Sequence, residues 1–212
     1  MSTFKARQSG AALFIALVML IMITLLAVSS MRGVTLESRI TAHRAHDLQL
    51  RLAADAALRE AEFRFYGPGY LEAKLEPSST YCDLTNTLKT NGTNKPCLLG
   101  LINDAVTLQF VKQPQLLTNA TKSTFLIGDS QAGLAWMPYR GLDPKYNTTA
   151  DSEYSVRWNS IRAVDTGNNA INAEYGMTAE GIGTYFYLNN GIADDLLTLQ
   201  STHANVYLGL NN

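Results

Sequence analysis

At 212 residues, with 46% hydrophobic side chains, the chain has room for one membrane segment and one modest globular domain. Seventeen basic residues against eighteen acidic ones leave a net charge of −1, scattered along the sequence. That distribution excludes the clustered basic footprint of a nucleic-acid-binding protein.

The first ten residues, MSTFKARQSG, carry Lys5 and Arg7 and close on Gly10. Ala11–Met31, AALFIALVMLIMITLLAVSSM, follows at once without a charge, and its only polar side chains are Thr24, Ser29 and Ser30. At about 1.5 Å rise per residue, some twenty such residues span the hydrocarbon core of a bilayer. A cleaved secretory signal also begins with a basic stretch, and Ala27-Val28-Ser29 imitates its cleavage site. Its apolar core is shorter, however, at about 7–15 residues. A small soluble domain does not bury an apolar run this long. Length therefore favours a retained transmembrane helix. Flanking charge does not orient it, because Arg32, Arg39 and Arg44 on the far side balance Lys5 and Arg7. The leader and the cysteines do, placing the C-terminal part outside the cytoplasm.

Beyond the apolar run, no proline occurs before Tyr66, and Ala, Leu, Arg and Glu dominate. Leu36, Ile40, Leu48, Leu52 and Ala56 recur at multiples of four, with Ala45, Ala53, Ala57 and Ala61 nearby, which predicts one apolar stripe. Asp47–Arg51, Asp55–Arg59 and Glu60–Arg64 set an acid four residues before a base, the better orientation for helical pairs. Gly67-Pro68-Gly69 stops the helix, and Gly33 is its weak point. The pattern predicts one helix from Ala11 to Tyr66, about 80 Å long. It is apolar all round in its first half and amphipathic in its second.

Residues 70–100 are loop-like, with Pro77, Asn86, Asn91-Gly92 and Pro96. Cys82 and Cys97, an isolated pair in an exported region, read as a disulfide rather than a metal site. It would close a loop of about sixteen residues, worth about 3 kcal/mol. Strands are expected at Val106–Val111, Ser123–Ile127, Tyr154–Trp158, Tyr175–Thr178, Thr184–Leu188, Leu196–Gln200 and Ala204–Leu208. Asn189-Asn190-Gly191 through Asp194-Asp195 reads as the loop of a late hairpin. The fold class is α+β: a long N-terminal helix packed against a C-terminal antiparallel β-sheet. The expected divisions are a leader at 1–10, a transmembrane half-helix at 11–31, an amphipathic half at 32–66 and a β-rich head at 67–212.

Candidate chemistry is sparse. His43, His46 and Asp47 stand at helical spacing that a metal can use, although a solvated helix face produces the same pattern. Asp194-Asp195 offers too few oxygens for calcium. Asn91, Asn119 and Asn147 open Asn-x-Thr triplets, which matter only where glycosylation occurs. Trp136, Tyr139, Tyr146 and Trp158 read as core aromatics, with an adhesive patch as the alternative. No nucleophile–base arrangement, phosphate loop, metal site or cofactor motif stands out, so the chain reads as a non-enzyme.

The leader ending in Gly10, the immediate apolar run and the single long helix together resemble a type IV prepilin. The wording QSGAALFIALVML…LLAVSSMR…LESRITAHRAHDLQLRLAADAALREAE is similar to the PilX-type minor pilins, over roughly residues 5–62. LLTLQSTHANVYL loosely resembles their late LQS-containing strand. The resemblance implies cleavage between Gly10 and Ala11 by a prepilin peptidase, with Lys5 and Arg7 holding the leader at the cytoplasmic side, and N-methylation of Ala11. It implies an inner-membrane subunit with a periplasmic C-terminal domain, later on the pilus surface. Its partners would be other minor pilins, the major pilin and the assembly machinery, in a system serving twitching motility or cell adhesion. Leu13, Ile15, Leu17 and Leu20 would pack helix on helix. Most major pilins carry a glutamate as fifth mature residue, where this chain has Ile15, which implies an initiating or tip role rather than a place in the shaft. Two alternatives share much of the pattern: a type II secretion pseudopilin, and an anchored adhesin or binding protein.

Overall fold

The computed structural model describes residues 9–65, 75–86, 94–141, 153–163 and 182–207. A single helix, α1, covers Ser9–Phe63. It is long and apolar enough to cross a membrane. The chain divides into two compact units, Met1–Leu48 and Gln49–Asn212. In the first, every described side chain from Ala11 to Leu48 is exposed except half-buried Val18. Thr24, the polar interruption of the apolar run, bonds its hydroxyl back to the Ile21 carbonyl at 2.8 Å. That removes most of its cost in an apolar setting.

The second unit is an α+β head. Its elements in order are the last turns of α1, β1 (Leu98–Leu99), α2 (Asp104–Lys112), α3 (Lys122–Phe125), β2 (Met137–Pro138), β3 (Val156–Arg162), β4 (Gly183–Ala193) and β5 (Leu197–Tyr207). The strand order is β1-β3-β4-β5, with β2 pairing β3. β3 and β4 run antiparallel from Val156↔Ala193 to Arg162↔Tyr187, and β4 and β5 from Gly183↔Tyr207 to Ala193↔Leu197. β1 joins β3 in parallel, Leu98↔Ser160 and Leu99↔Ile161, so the sheet is mixed around an antiparallel centre. The core gathers Trp158, Leu99, Phe110, Leu117, Leu126, Met137, Ile161 and Ile192 against Ala57 and Ala61 of α1.

Of the expected stripe, Ala57 and Ala61 are fully buried and Ala53 and Ala56 half-buried, but Leu52 is 60% exposed; the face that meets the sheet runs through Ala54, Ala57 and Ala61, flanked by Leu50 and Leu58. The cause is distance. A Cβ built on Gly191 of β4 would lie 2.3 Å from the Ala54 carbonyl oxygen and 2.7 Å from the Leu58 nitrogen. Backbone meets backbone there, and only small side chains allow that approach.

Two expected strands are helical. Val106–Val111 lies within α2 because Asn103 caps it, accepting from the Val106 amide at 2.9 Å, with Asp104 in the first turn and Lys112 in the last. Its β-branched residues imitate a strand, but only Phe110 is buried. Ser123–Ile127 forms the short α3 and then a single antiparallel bridge, Leu126↔Leu101. Asn189–Gly191 belongs to β4 rather than to a loop, and only Asp194–Leu196 forms the turn. Leu196–Gln200 and Ala204–Leu208 merge into one strand, β5. Tyr154–Trp158 begins early, since β3 starts at Val156. The Tyr175–Thr178 strand and the Gly67-Pro68-Gly69 stop lie outside the described residues.

Candidate assembly interface

The residues expected to pack helix on helix stand on the first unit. Leu13, Ile15, Leu17 and Leu20 are all more than half exposed, and no acid or base interrupts them from Ala11 to Met31. In water such a surface is unstable, because each large side chain forgoes about 1.5–3 kcal/mol of burial. The Gly10–Ala11 peptide lies within α1. Lys5 and Arg7 lie outside the described residues.

The head carries a charged cluster that the sequence presents only as a helical surface pair. Glu60 and Arg64 are completely buried and bonded at 3.0 Å. The other Glu60 oxygen accepts from the backbone amides of Arg140 and Gly141 at 2.8 and 3.1 Å. Arg64 donates to the Asn86 side chain at 2.7 Å and lies 5.3 Å over the Trp158 ring. Burying two charges is costly, and here several charge-assisted bonds offset that cost. The pair fixes two loops of the head to α1. Asp55–Arg59, by contrast, is the exposed ion pair that the spacing suggests.

A polar spine crosses the sheet. Gln200 donates to Asn190, Asn190 to Asn159, and Asn159 to the Ala135 carbonyl. Ser160 donates to Asn189, and Ser201 to Glu62 of α1. No period of two or 3.6 announces such a chain of amides, although the clustering of Asn189, Asn190 and Gln200 was the available signal. Near its far end His203 stacks on Phe65 with centroids 4.5 Å apart. Burial lowers its pKa, and nearby Glu62 opposes the shift. Burial likewise pushes the Tyr187 hydroxyl well above the ordinary tyrosine range.

The remaining candidates take structural roles. Cys82 and Cys97 form a disulfide. Asp194 and Asp195 both adopt positive φ in the β4–β5 turn; Asp194 accepts from the Ser155 amide at 2.6 Å, and Asp195 pairs with Arg157. One oxygen of each thus ties the turn to the strand beside it. His43, His46 and Asp47 lie on an exposed helix face, and among the described residues no group of three or more His, Cys, Asp or Glu is arranged to hold a metal ion. Trp136 and Trp158 are core residues, with the Trp136 indole donating to the Leu117 carbonyl at 2.7 Å. Tyr139 is half-buried beside them, while Tyr146, Asn91 and Asn147 lie outside the described residues. Asn119 accepts from the Ala135 amide at 3.2 Å.

Compared with known families, residues 9–59 match the model of the PilX N-terminal family. No curated protein and no solved structure matches the chain.

Proposed function

We propose, from the match of residues 9–59 to the PilX N-terminal family, that this chain is a type IV pilus minor pilin of the PilX type that helps initiate the filament and sits at or near its tip. The observation that carries the proposal is the apolar surface exposed all round the first half of α1, with Leu13, Ile15, Leu17 and Leu20 among it. Such a surface is satisfied by lipid before assembly and by neighbouring helices afterwards. Ile15 matters most. A carboxylate in the bilayer costs about 3 kcal/mol and persists where it meets a partner charge. A chain with isoleucine there is relieved of that cost, and it also lacks the charge by which a repeating subunit would be registered against its neighbour. A position that is filled once tolerates the loss.

In this reading a prepilin peptidase removes residues 1–10, with Lys5 and Arg7 held at the cytoplasmic face and the new amino group of Ala11 methylated. The head stands in the periplasm before assembly and on the cell surface after it, in contact with other minor pilins and the major pilin. Intact mass and N-terminal sequencing of the protein from its native membrane test this directly. The expected chain begins at methylated Ala11. A start after Ser29 makes it a cleaved export substrate, and an uncut Met1 makes it an ordinary anchored protein; either result overturns the proposal.

A further inference from the structure

We propose that the Cys82–Cys97 disulfide is a redox lock on the seat of Arg64. Acting through Asn86, its oxidation fixes the buried end of α1 into the head, and its reduction releases that end while the sheet stays folded.

The disulfide closes residues 82–97 at the neck. Asn86 ties the same neck from inside. Its side-chain amide donates to the Tyr81 carbonyl at 2.6 Å and to the Lys95 carbonyl at 3.1 Å, just ahead of Cys82 and of Cys97 in the chain. The Lys95 ammonium also lies 5.0 Å over the Tyr81 ring. With both amide hydrogens held by opposite arms of the neck, the group cannot turn, and its oxygen faces one way. That oxygen accepts from Arg64 at 2.7 Å. Asp83 supports Asn86 from below: its carbonyl accepts from the Asn86 amide at 3.0 Å, and its carboxylate from the Thr85 amide at 2.7 Å. The acceptor that meets the buried guanidinium is thus built from the two arms that the sulfurs join.

The linkage follows from charge. Arg64 is completely buried beside Glu60. Taking an acceptor from a buried cation costs more than it would in water, because no solvent replaces it. Reduction frees the arms, and the Asn86 oxygen loses its fixed direction. Relief comes from the helix end. Once Arg64 turns toward water, Glu60 loses its counter-charge and gives up the Arg140 and Gly141 amides. The sheet has separate ties: the Cys97 carbonyl accepts from Ser160 of β3 at 3.1 Å, and the Cys82 carbonyl from Leu134 at 2.8 Å. Neither bond needs the sulfurs joined, so the release is local.

The lock also works in reverse. Both cysteines are buried, so a reductant reaches them after the neck has opened. By linkage, whatever loosens the Arg64 seat makes the disulfide easier to reduce by the same factor. The reductant is a dithiol. One of its thiolates attacks a cysteine sulfur, breaking the Sγ–Sγ bond and forming a mixed disulfide, and its second thiolate displaces that sulfur. The dithiol leaves as a disulfide, and its two electrons and two protons end on Cys82 and Cys97 as thiols. A disulfide donor reverses the exchange, so on the periplasmic reading above the seat would close only after export.

The test is hydrogen exchange read by mass spectrometry on the full-length chain in detergent, oxidised and then reduced with dithiothreitol. Reduction should raise exchange in residues 58–65 and 139–141 about tenfold while β3, β4 and β5 keep their protection. Asn86→Ala, with its disulfide intact, should give the same local rise, so the result does not depend on how well the reduced chain folds. Asn86→Ala should also be half-reduced at an about tenfold lower ratio of reduced to oxidised dithiothreitol. Glu60→Gln with Arg64→Met removes both buried charges, and in that background Asn86→Ala should lose most of its effect on the ratio. Unchanged exchange at 58–65 on reduction, a rise spread evenly over the sheet, an unshifted ratio for Asn86→Ala, or a shift undiminished without the Glu60–Arg64 charges overturns the inference.

Discussion

Replacing Gly191 with alanine isolates the contact that sets how closely α1 meets the sheet. The added Cβ would lie 2.3 Å from the Ala54 carbonyl oxygen, 2.7 Å from the Leu58 nitrogen and 3.1 Å from its Cα. All three are backbone atoms of one helix, so no side-chain rotation relieves the overlap. The helix or the strand has to shift by about an ångström, loosening Ala54, Ala57 and Ala61 together. Overpacking of this kind costs about 1–3 kcal/mol, and the rigid obstacle puts Gly191 at the upper end. Alanine returns about 0.4–1 kcal/mol by restricting the unfolded chain, which leaves a net loss near 2 kcal/mol. For a domain of this size that is a fall in Tm of about 4–8 °C. The assay is a near-ultraviolet circular dichroism melt of the detergent-solubilised chain, which reports buried Trp136 and Trp158 rather than the helix as a whole. Gly33→Ala is the control: nothing lies within 4 Å of its Cβ, so the head melt should not move. An unchanged or raised Tm for Gly191→Ala would refute the close approach.

Three further outcomes use the same melt. Glu60→Gln leaves the buried Arg64 guanidinium without its counter-charge and should cost about 3–5 kcal/mol, far more than Asp55→Asn at the exposed pair. Opening the Cys82–Cys97 loop by a paired change to serine should cost about 3 kcal/mol. His203 has a lowered folded pKa, so the unfolded chain binds its proton first. Stability is therefore full above pH 6.5, the group's ordinary value, and falls as pH drops from there toward the lowered value. His203→Gln should flatten that slope, and an unaltered slope would place the titration elsewhere.

The membrane-type helix and the disulfide were legible because each rests on one local signal: an uninterrupted apolar run, and an isolated pair of cysteines. The late strands were legible by alternation, although Ser201–Ala204 is polar enough to look like a gap. What failed had a shared cause. α2 is read as a strand because Val106 and Val111 outweigh its Asn103 cap in any propensity count, yet the cap and the burial of Phe110 decide the structure. Asn189 and Asn190 look like turn residues, but their amides bond Ser160 and Asn159 across the sheet. Glu60–Arg64 looks like a solvated pair until Arg140, Gly141, Asn86 and Trp158 close around it. These partners are 22 to 94 positions away, beyond the reach of any local pattern.

The misplaced stripe bears most directly on function. Leu36, Ile40, Leu48 and Leu52 repeat as if to cover a sheet, yet all four remain exposed while Leu50, Ala54, Ala57, Leu58 and Ala61 are buried within the head, with Gly191 against Ala54 and Leu58. Folding of the head makes no use of that second row. Leu13, Leu17 and Leu20 of the first unit are exposed as well, and single-chain folding consumes neither set. Burial of such side chains is non-directional and cannot by itself choose among similar neighbours. On the minor-pilin reading proposed above, Ile15 leaves the apolar run without the charge that would register a repeating subunit, so selection among neighbours would fall to directional groups on the exposed surface of the head.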